Sequence, residues 1–237
     1  MKIGILVCGH PPEETIDQHG TYADSFQVLL DGHGFEFQAW ACLDGEFPDS
    51  AGSAEGWLIT GSKFGTYEGH SWIPPLEAFI RTAYSQDIPL VGICFGHQII
   101  AQALGGKVEK FSGGWSIGRV EYQLENFDNP VALHAWHQDQ VVSLPEDATV
   151  IGQTDFCQYA ALAYGDKALS LQPHPEFTRG YFEALFDARR SGLTTAGIAQ
   201  GSTTVDEKKP TDSDAIANTI ADFFKASRDA SREDSTA

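Results

Sequence analysis

The sequence predicts an α/β fold: an open, mostly parallel sheet with helices on both faces and extra antiparallel strands. Three observations predict it. Short apolar runs alternate with longer amphipathic runs from Ile3 to Leu104. A glycine-flanked turn at Gly92–Gly96 joins a strand-like run directly to a helix-like one. From Gly118 to Leu171 the runs become almost entirely strand-like.

The elements follow in order. Ile3–Cys8 reads as a buried strand that stops at Gly9-His10-Pro11-Pro12. Tyr22–Leu30 reads as a helix, with Gly32 and Gly34 as stop signals. Phe35–Ala41 and Trp57–Thr60 read as strands, the second ending at Gly61-Ser62. Leu76–Tyr84 is helical, expected to start after Pro74-Pro75. Ile88–Cys94 is a strand that runs into a helix at Phe95–Leu104. Strands are then expected at Arg119–Leu124, Val131–Trp136, Val141–Leu144, Thr149–Gly152, Tyr159–Tyr164 and Ala168–Leu171. A helix follows at Arg179–Arg190. Residues 1–193 thus form one expected domain. Residues 194–213, rich in Thr, Gly, Ser, Lys and Pro, read as a polar linker. Residues 214–226 carry Ile216, Ile220, Phe223 and Phe224 on one face and read as a helix docked back on the domain. Residues 227–237 read as a frayed polar tail.

Composition narrows the function classes. The chain has 237 residues, enough for one domain with a sizeable core. Its 15 Lys and Arg stand against 33 Asp and Glu, for a formal net charge of -18. Such a surface repels nucleic acid and anionic membrane, so neither is an expected partner. The charge reads as a solubility adaptation of the kind a salty medium favours; steering toward a basic partner is the alternative and has no residue evidence. The first residues are too short an apolar run for a signal peptide, and no run is long enough to span a membrane. Cys8, Cys42, Cys94 and Cys157 form no C-x-x-C pair. A reducing cytoplasm is the expected setting.

Chemistry concentrates at Val91-Gly92-Ile93-Cys94-Phe95-Gly96-His97-Gln98. This is G-x-C-x-G at a strand-to-helix junction, a nucleophile elbow with Cys in place of Ser. Such a turn lifts the nucleophile above the sheet, where open α/β folds bind ligands. The dipole of the following helix favours negative charge on the sulfur. The Phe95 N–H faces the place where an oxyanion would form. Taken alone, the pentapeptide leaves packing and catalysis both open. The other three cysteines lack this setting and read as core residues.

A thiol nucleophile needs a base and the base needs an orienter. Gln172-Pro173-His174-Pro175-Glu176 supplies both after an apolar strand. In extended chain, residues two apart point to one side. The prolines at 173 and 175 keep the segment extended. His174 and Glu176 can therefore both face the carboxyl end of the sheet, where Cys94 also sits.

G-I-C-F-G-H-Q followed by H-P-E resembles the class I (triad) glutamine amidotransferase family, including its stand-alone members similar to GMP synthase amidotransferases and γ-glutamyl peptidases. The resemblance covers about residues 1–190 and implies the family's flavodoxin-like sheet. It implies that Cys94 forms a γ-glutamyl thioester, His174 shuttles the proton and Glu176 orients His174. Gly61-Ser62 resembles the oxyanion loop, so backbone N–H groups there and at Phe95 would hold the oxyanion. Gln98 and the backbone at Trp136 and His137 would hold the glutamyl head group. The family usually has an aromatic residue where Pro173 stands, which alters the pocket wall and leaves the triad intact.

The implied function is a cysteine-dependent amidohydrolase acting on glutamine or another γ-glutamyl compound, with no cofactor. The remaining length leaves no room for a synthetase domain. Stand-alone γ-glutamyl peptidase action and ammonia transfer to a separate synthetase subunit both stay open, as does a catalytically silent binding module. His10, His19, His33, His70, His97 and His134 show no shared metal-ligand spacing, so no metal is expected. No glycine-rich nucleotide motif occurs. Gly61, Gly65 and Gly69 would permit lid motion around Lys63 and Tyr67. Trp115 lies in a Gly-flanked loop beside either substrate or the domain edge. Asp139 reads as a loop hydrogen-bonding residue.

Overall fold

The computed structural model describes residues 1–234, with side chains described to Arg228. The elements are β1 (Lys2–Leu6), α1 (Glu13–His19), α2 (Tyr22–Leu29), β2 (Glu36–Trp40), β3 (Gly56–Ile59), α3 (Ile73–Ser85), β4 (Leu90–Ile93) and α4 (Phe95–Ala103). They continue as β5 (Lys107–Lys110), β6 (Ser116–Leu124), β7 (Val131–His137), β8 (Asp139–Ser143), β9 (Thr149–Gln153), β10 (Ala161–Tyr164) and β11 (Ala168–Leu171). Helices α5 (Arg179–Arg189), α6 (Thr195–Glu207) and α7 (Ser213–Asp234) complete the order.

Nine strands form one sheet in the order β2-β1-β3-β4-β11-β10-β9-β6-β7. The first five are parallel to one another, and antiparallel pairing begins between β11 and β10. Strands β5 and β8 form a separate antiparallel pair. The expected fold class is therefore the observed one.

Side-chain alternation builds the layers. Ile3, Ile5, Val91, Ile93, Leu169 and Leu171 join one core with Phe26 of α2 and Ile216, Ile220 and Phe224 of α7. Leu6, Trp57, Ile59 and Leu90 face the other way, onto Leu76 and Ile80 of α3 and Ile99 and Ile100 of α4. Helix α4 is buried at eight of its nine positions, so it is a central element of the fold. Ile216, Ile220 and Phe224 are fully or almost fully buried, which stabilises the α7 contact by about 1.5–3 kcal/mol per side chain.

Several boundaries differ from expectation for identifiable reasons. Helix α3 starts at Ile73, and the two prolines occupy its first turn, where their missing N–H groups would have no helical partner anyway. Helix α1 buries only Thr15, and β5 buries only Val108, so neither shows an apolar period. Helix α7 runs to Asp234, so part of the expected tail is helical; its last positions, 235–237, lie outside the described residues. Among the described residues no helix is long and apolar enough to cross a membrane.

The largest correction concerns residues 194–213. They do not form a simple linker, because α6 occupies most of the stretch. Thr194 caps it by accepting from the Gly197 N–H at 3.2 Å. Its glycines serve packing: a Cβ at Gly201 would lie 2.2 Å from the Phe186 ring. Its polar side chains cap a sheet edge. Gln200 Oε1 accepts from the Ile117 N–H at 3.0 Å, and Thr204 Oγ1 accepts from the Arg119 N–H at 2.9 Å. The spacing matches, since four helical residues rise about 6 Å and two strand residues about 6.6 Å. A composition that reads as linker thus satisfies the free N–H groups of β6, which would otherwise be exposed to pairing with another strand.

Replacing Gln200 by Ala together with Thr204 by Val should lower unfolding stability by about 1–3 kcal/mol. Urea unfolding measures this, and an unchanged midpoint would show that α6 does not support the strand edge.

Candidate active site

The elbow is built by close packing. Cys94 has φ 55 and ψ -104, a left-handed conformation that a side chain resists. Its own N–H donates to the Leu171 carbonyl at 2.8 Å, and its carbonyl accepts from the Gln98 N–H at 3.1 Å. Helix α4 can start immediately because Gly96 lies against β3, where a Cβ would be 2.2 Å from the Ile59 carbonyl oxygen. The Phe95 ring is buried against Trp72, with centroids 5.4 Å apart, so its side chain is not offered to a ligand.

His174 follows β11. Its N–H donates to the His134 carbonyl at 2.8 Å, an isolated bridge that extends the sheet edge. Its Nδ1–H donates to Glu176 Oε1 at 2.7 Å, and its ring stacks on Phe177 at 3.9 Å. That bond occupies Nδ1, and Cys94 lies close enough to act on the charge of the ring. Both side chains of the His174–Glu176 pair are almost wholly buried. Gly61 completes the cluster: a Cβ there would sit 3.1 Å from His174 Cε1 and 3.7 Å from Cys94 Cβ.

Electrostatics separates the imidazoles. Burial alone would drive His174 toward the neutral form. The charges of Glu176 and Cys94, with their hydrogen bonds, outweigh that and raise its pKa to about 10. His137 is pushed down to about 3, chiefly by burial and further by the charge on His174. His134 is also lowered, mainly by burial. Among these three, His174 alone is held toward the protonated form.

These groups open into a cavity of about 310 Å³. Cys94, His174, Gly61, Ser62, Gln98, Trp136 and His137 all line it. Gln98 is less free than its expected role requires. Its Nε2 donates to the Asp139 carbonyl at 2.9 Å and to Gln172 Oε1 at 3.0 Å, so its amide protons brace β8. The Ser62 hydroxyl accepts from the Phe64 N–H at 3.2 Å and shapes the turn. His137 Nδ1–H donates to the Asp139 carbonyl at 3.3 Å, leaving Nε2 buried without a partner. His97 is a scaffold residue, its Nδ1 2.8 Å from Ser170 Oγ of β11.

The loop over the cavity is tethered. The Tyr67 hydroxyl donates to Asp139 Oδ2 at 3.0 Å. Thr66 and Gln102 exchange two bonds, at 2.7 and 2.8 Å. Thr60 Oγ1 accepts from the Cys8 N–H and donates to the Gly61 carbonyl, fixing the plane of the 61–62 peptide. Asp139 hydrogen-bonds as the sequence suggests, whereas the Thr66–Gln102 and Thr60 anchors carry no sequence signal. Sequence reasoning also missed His10, Tyr22, Lys110 and Arg189, which line the cavity from scattered elements without a local motif. Among the described residues no cluster of three or more His, Cys, Asp or Glu could hold a metal ion.

Fold and site together define an α/β protein with a cysteine elbow facing a His–Glu pair. The chain belongs to the class-I glutamine amidotransferase family, whose model matches residues 61–188. Gamma-glutamyl peptidase 4 of Arabidopsis thaliana is 32% identical over 71% of this chain and 72% of its own length. One subunit of the glutamine-hydrolysing GMP synthase of Halobacterium salinarum is 28% identical, over 68% of this chain and 86% of its own. The crystal structure of a glutamine amidotransferase from Methylobacillus flagellatus superposes with a TM-score of 0.76, at 21% identity, covering 96% of this chain and 93% of that one. That structure shares the fold.

The strain at Cys94 predicts an inverted stability order. Gly normally destabilises relative to Ala by about 0.5–1 kcal/mol, but here Cys94→Gly should be more stable than Cys94→Ala by about 1 kcal/mol or more. Thermal unfolding of both variants measures it; the ordinary order would show that the elbow is unstrained.

Proposed function

We propose that the protein is a cysteine-dependent γ-glutamyl amidohydrolase whose triad is Cys94, His174 and Glu176. The observation that carries this reading is the buried 2.7 Å pair of His174 and Glu176 beside the strained Cys94. A thiolate on Cys94 attacks the γ-carbonyl carbon and a tetrahedral oxyanion forms. The N–H groups of Phe95 and the Gly61-Ser62 turn stabilise that oxygen. His174 gives its proton to the leaving amine as the C–N bond breaks, which leaves the γ-glutamyl thioester. Water then attacks the thioester, His174 takes its proton, and glutamate leaves with Cys94 restored. Glu176 holds the imidazole in position and stabilises its positive charge throughout.

Charge in the cavity supports an amino-acid substrate. On a chain of net charge -18, Lys63, Lys110 and Arg189 all line this one cavity, together with Glu68 and Asp139. Charges of both signs in one cavity suit the α-carboxylate and α-ammonium of a γ-glutamyl group. The free His137 Nε2 offers a further acceptor for that ammonium. The similarity to a gamma-glutamyl peptidase favours a peptide or amino acid as the leaving amine. All four cysteines are free, which fits a reducing cytoplasm.

Similarity to one chain of a GMP synthase favours a second reading, in which ammonia passes to a separate synthetase subunit. Assays of glutamine, a γ-glutamyl anilide and γ-glutamyl dipeptides, with glutamate and amine both measured, separate the two. Peptidase action predicts turnover by the isolated protein and a preference for dipeptides over glutamine. Cys94→Ser should lower kcat by at least about 10³-fold, and Glu176→Gln by about 10³–10⁴-fold. Turnover that survives Cys94→Ser contradicts the triad. Glutaminase activity that appears only with an added synthetase selects the second reading.

A further inference from the structure

A second cavity, of about 450 Å³, adjoins the triad carboxylate and shares no lining residue with the catalytic one. Glu176 and Pro175 form one wall, His19 of α1 and Ser25 of α2 another, and Ser213 and Asp214 of α7 a third. Two carboxylates line it and, among the described residues, no Lys or Arg does. Glu176 is 2% exposed; its Oε1 is taken by His174, and its Oε2 is buried without a partner. His19 Nε2, which belongs to the same lining, is likewise buried and unpartnered. A buried carboxylate oxygen left without a donor is costly, so the site has an unmet demand for N–H or O–H groups.

From this wall we infer that the cavity is a binding site for ammonium or the head of a small primary amine, seated between Glu176 and Asp214. An ammonium ion brings one positive charge and several N–H donors. Two carboxylates, the imidazole nitrogen and the Ser25 hydroxyl are its acceptors. A divalent metal fits less well, since no cluster of three His, Cys, Asp or Glu stands at metal-binding distance among the described residues. The consequence for catalysis rests on the proposed triad. A cation on Oε2 competes with imidazolium for the Glu176 charge, so ammonium released from glutamine slows its own production.

Thermal melting tests the site without any substrate. Ammonium chloride is compared with tetramethylammonium chloride at equal concentration, since the methylated ion matches the charge and has no N–H donor. The wild type should melt roughly 3–5 °C higher in ammonium once that ion exceeds its Kd about tenfold. Asp214→Asn and His19→Leu should each lose most of this difference. Asp222→Asn, on the same helix and outside the cavity, should keep it. No difference in the wild type, or one that survives in both cavity variants, overturns the proposal. Inactivity on every γ-glutamyl compound would sink the catalytic reading instead, and leave the melting result standing.

Discussion

One backbone conformation organises the molecule: the left-handed φ of Cys94. It costs about 1–3 kcal/mol, and the surroundings hold it by pairing β4 on both sides, with β3 and with β11. The Cys94 N–H is fixed by the end of β11, and the same strand delivers His174 a few residues later. Cys94 and His174 are therefore set by neighbouring strands of one sheet, so their relation depends little on loop motion. Gly96 permits α4 to start against β3, which places the helix N-terminus at the sulfur.

Burial then sorts the charges. His137 and His174 both line the catalytic cavity, yet burial leaves one neutral and the Glu176 carboxylate keeps the other charged. Glu176 and Cys94 together bias the proton toward the His174 imidazole. The same carboxylate holds His174 through one oxygen and belongs to the lining of the cavity behind it. The control point of the proposed chemistry and the proposed amine site thus share one side chain.

Much of this was legible in the sequence because its signals are local. Alternating apolar runs mark the parallel half of the sheet, and G-x-C-x-G marks a turn that few backbones can make. His174 and Glu176 are two residues apart in a proline-held segment, so their common direction follows from strand geometry. The rest was not local. His10, Lys110 and Arg189 reach the cavity from the β1–α1 loop, β5 and α5, and nothing nearby in sequence marks them. The α6 stretch reads as a linker because Thr, Gly and Ser have weak helix propensity. Its stability comes from the β6 edge and the Phe186 ring, which only tertiary structure supplies. Gln98 illustrates the same limit: the motif locates it, and the bonds to Asp139 and Gln172 decide what it is free to do.

The central claim is that Cys94 carries the acyl group. Acid quenching of the protein during turnover of a γ-glutamyl anilide, followed by peptide mass mapping, tests it directly. The account predicts one glutamyl unit in thioester linkage, confined to the peptide that contains Cys94 and removed by hydroxylamine. Steady turnover with no acylated peptide, or with the acyl group on Cys8, Cys42 or Cys157, would contradict it.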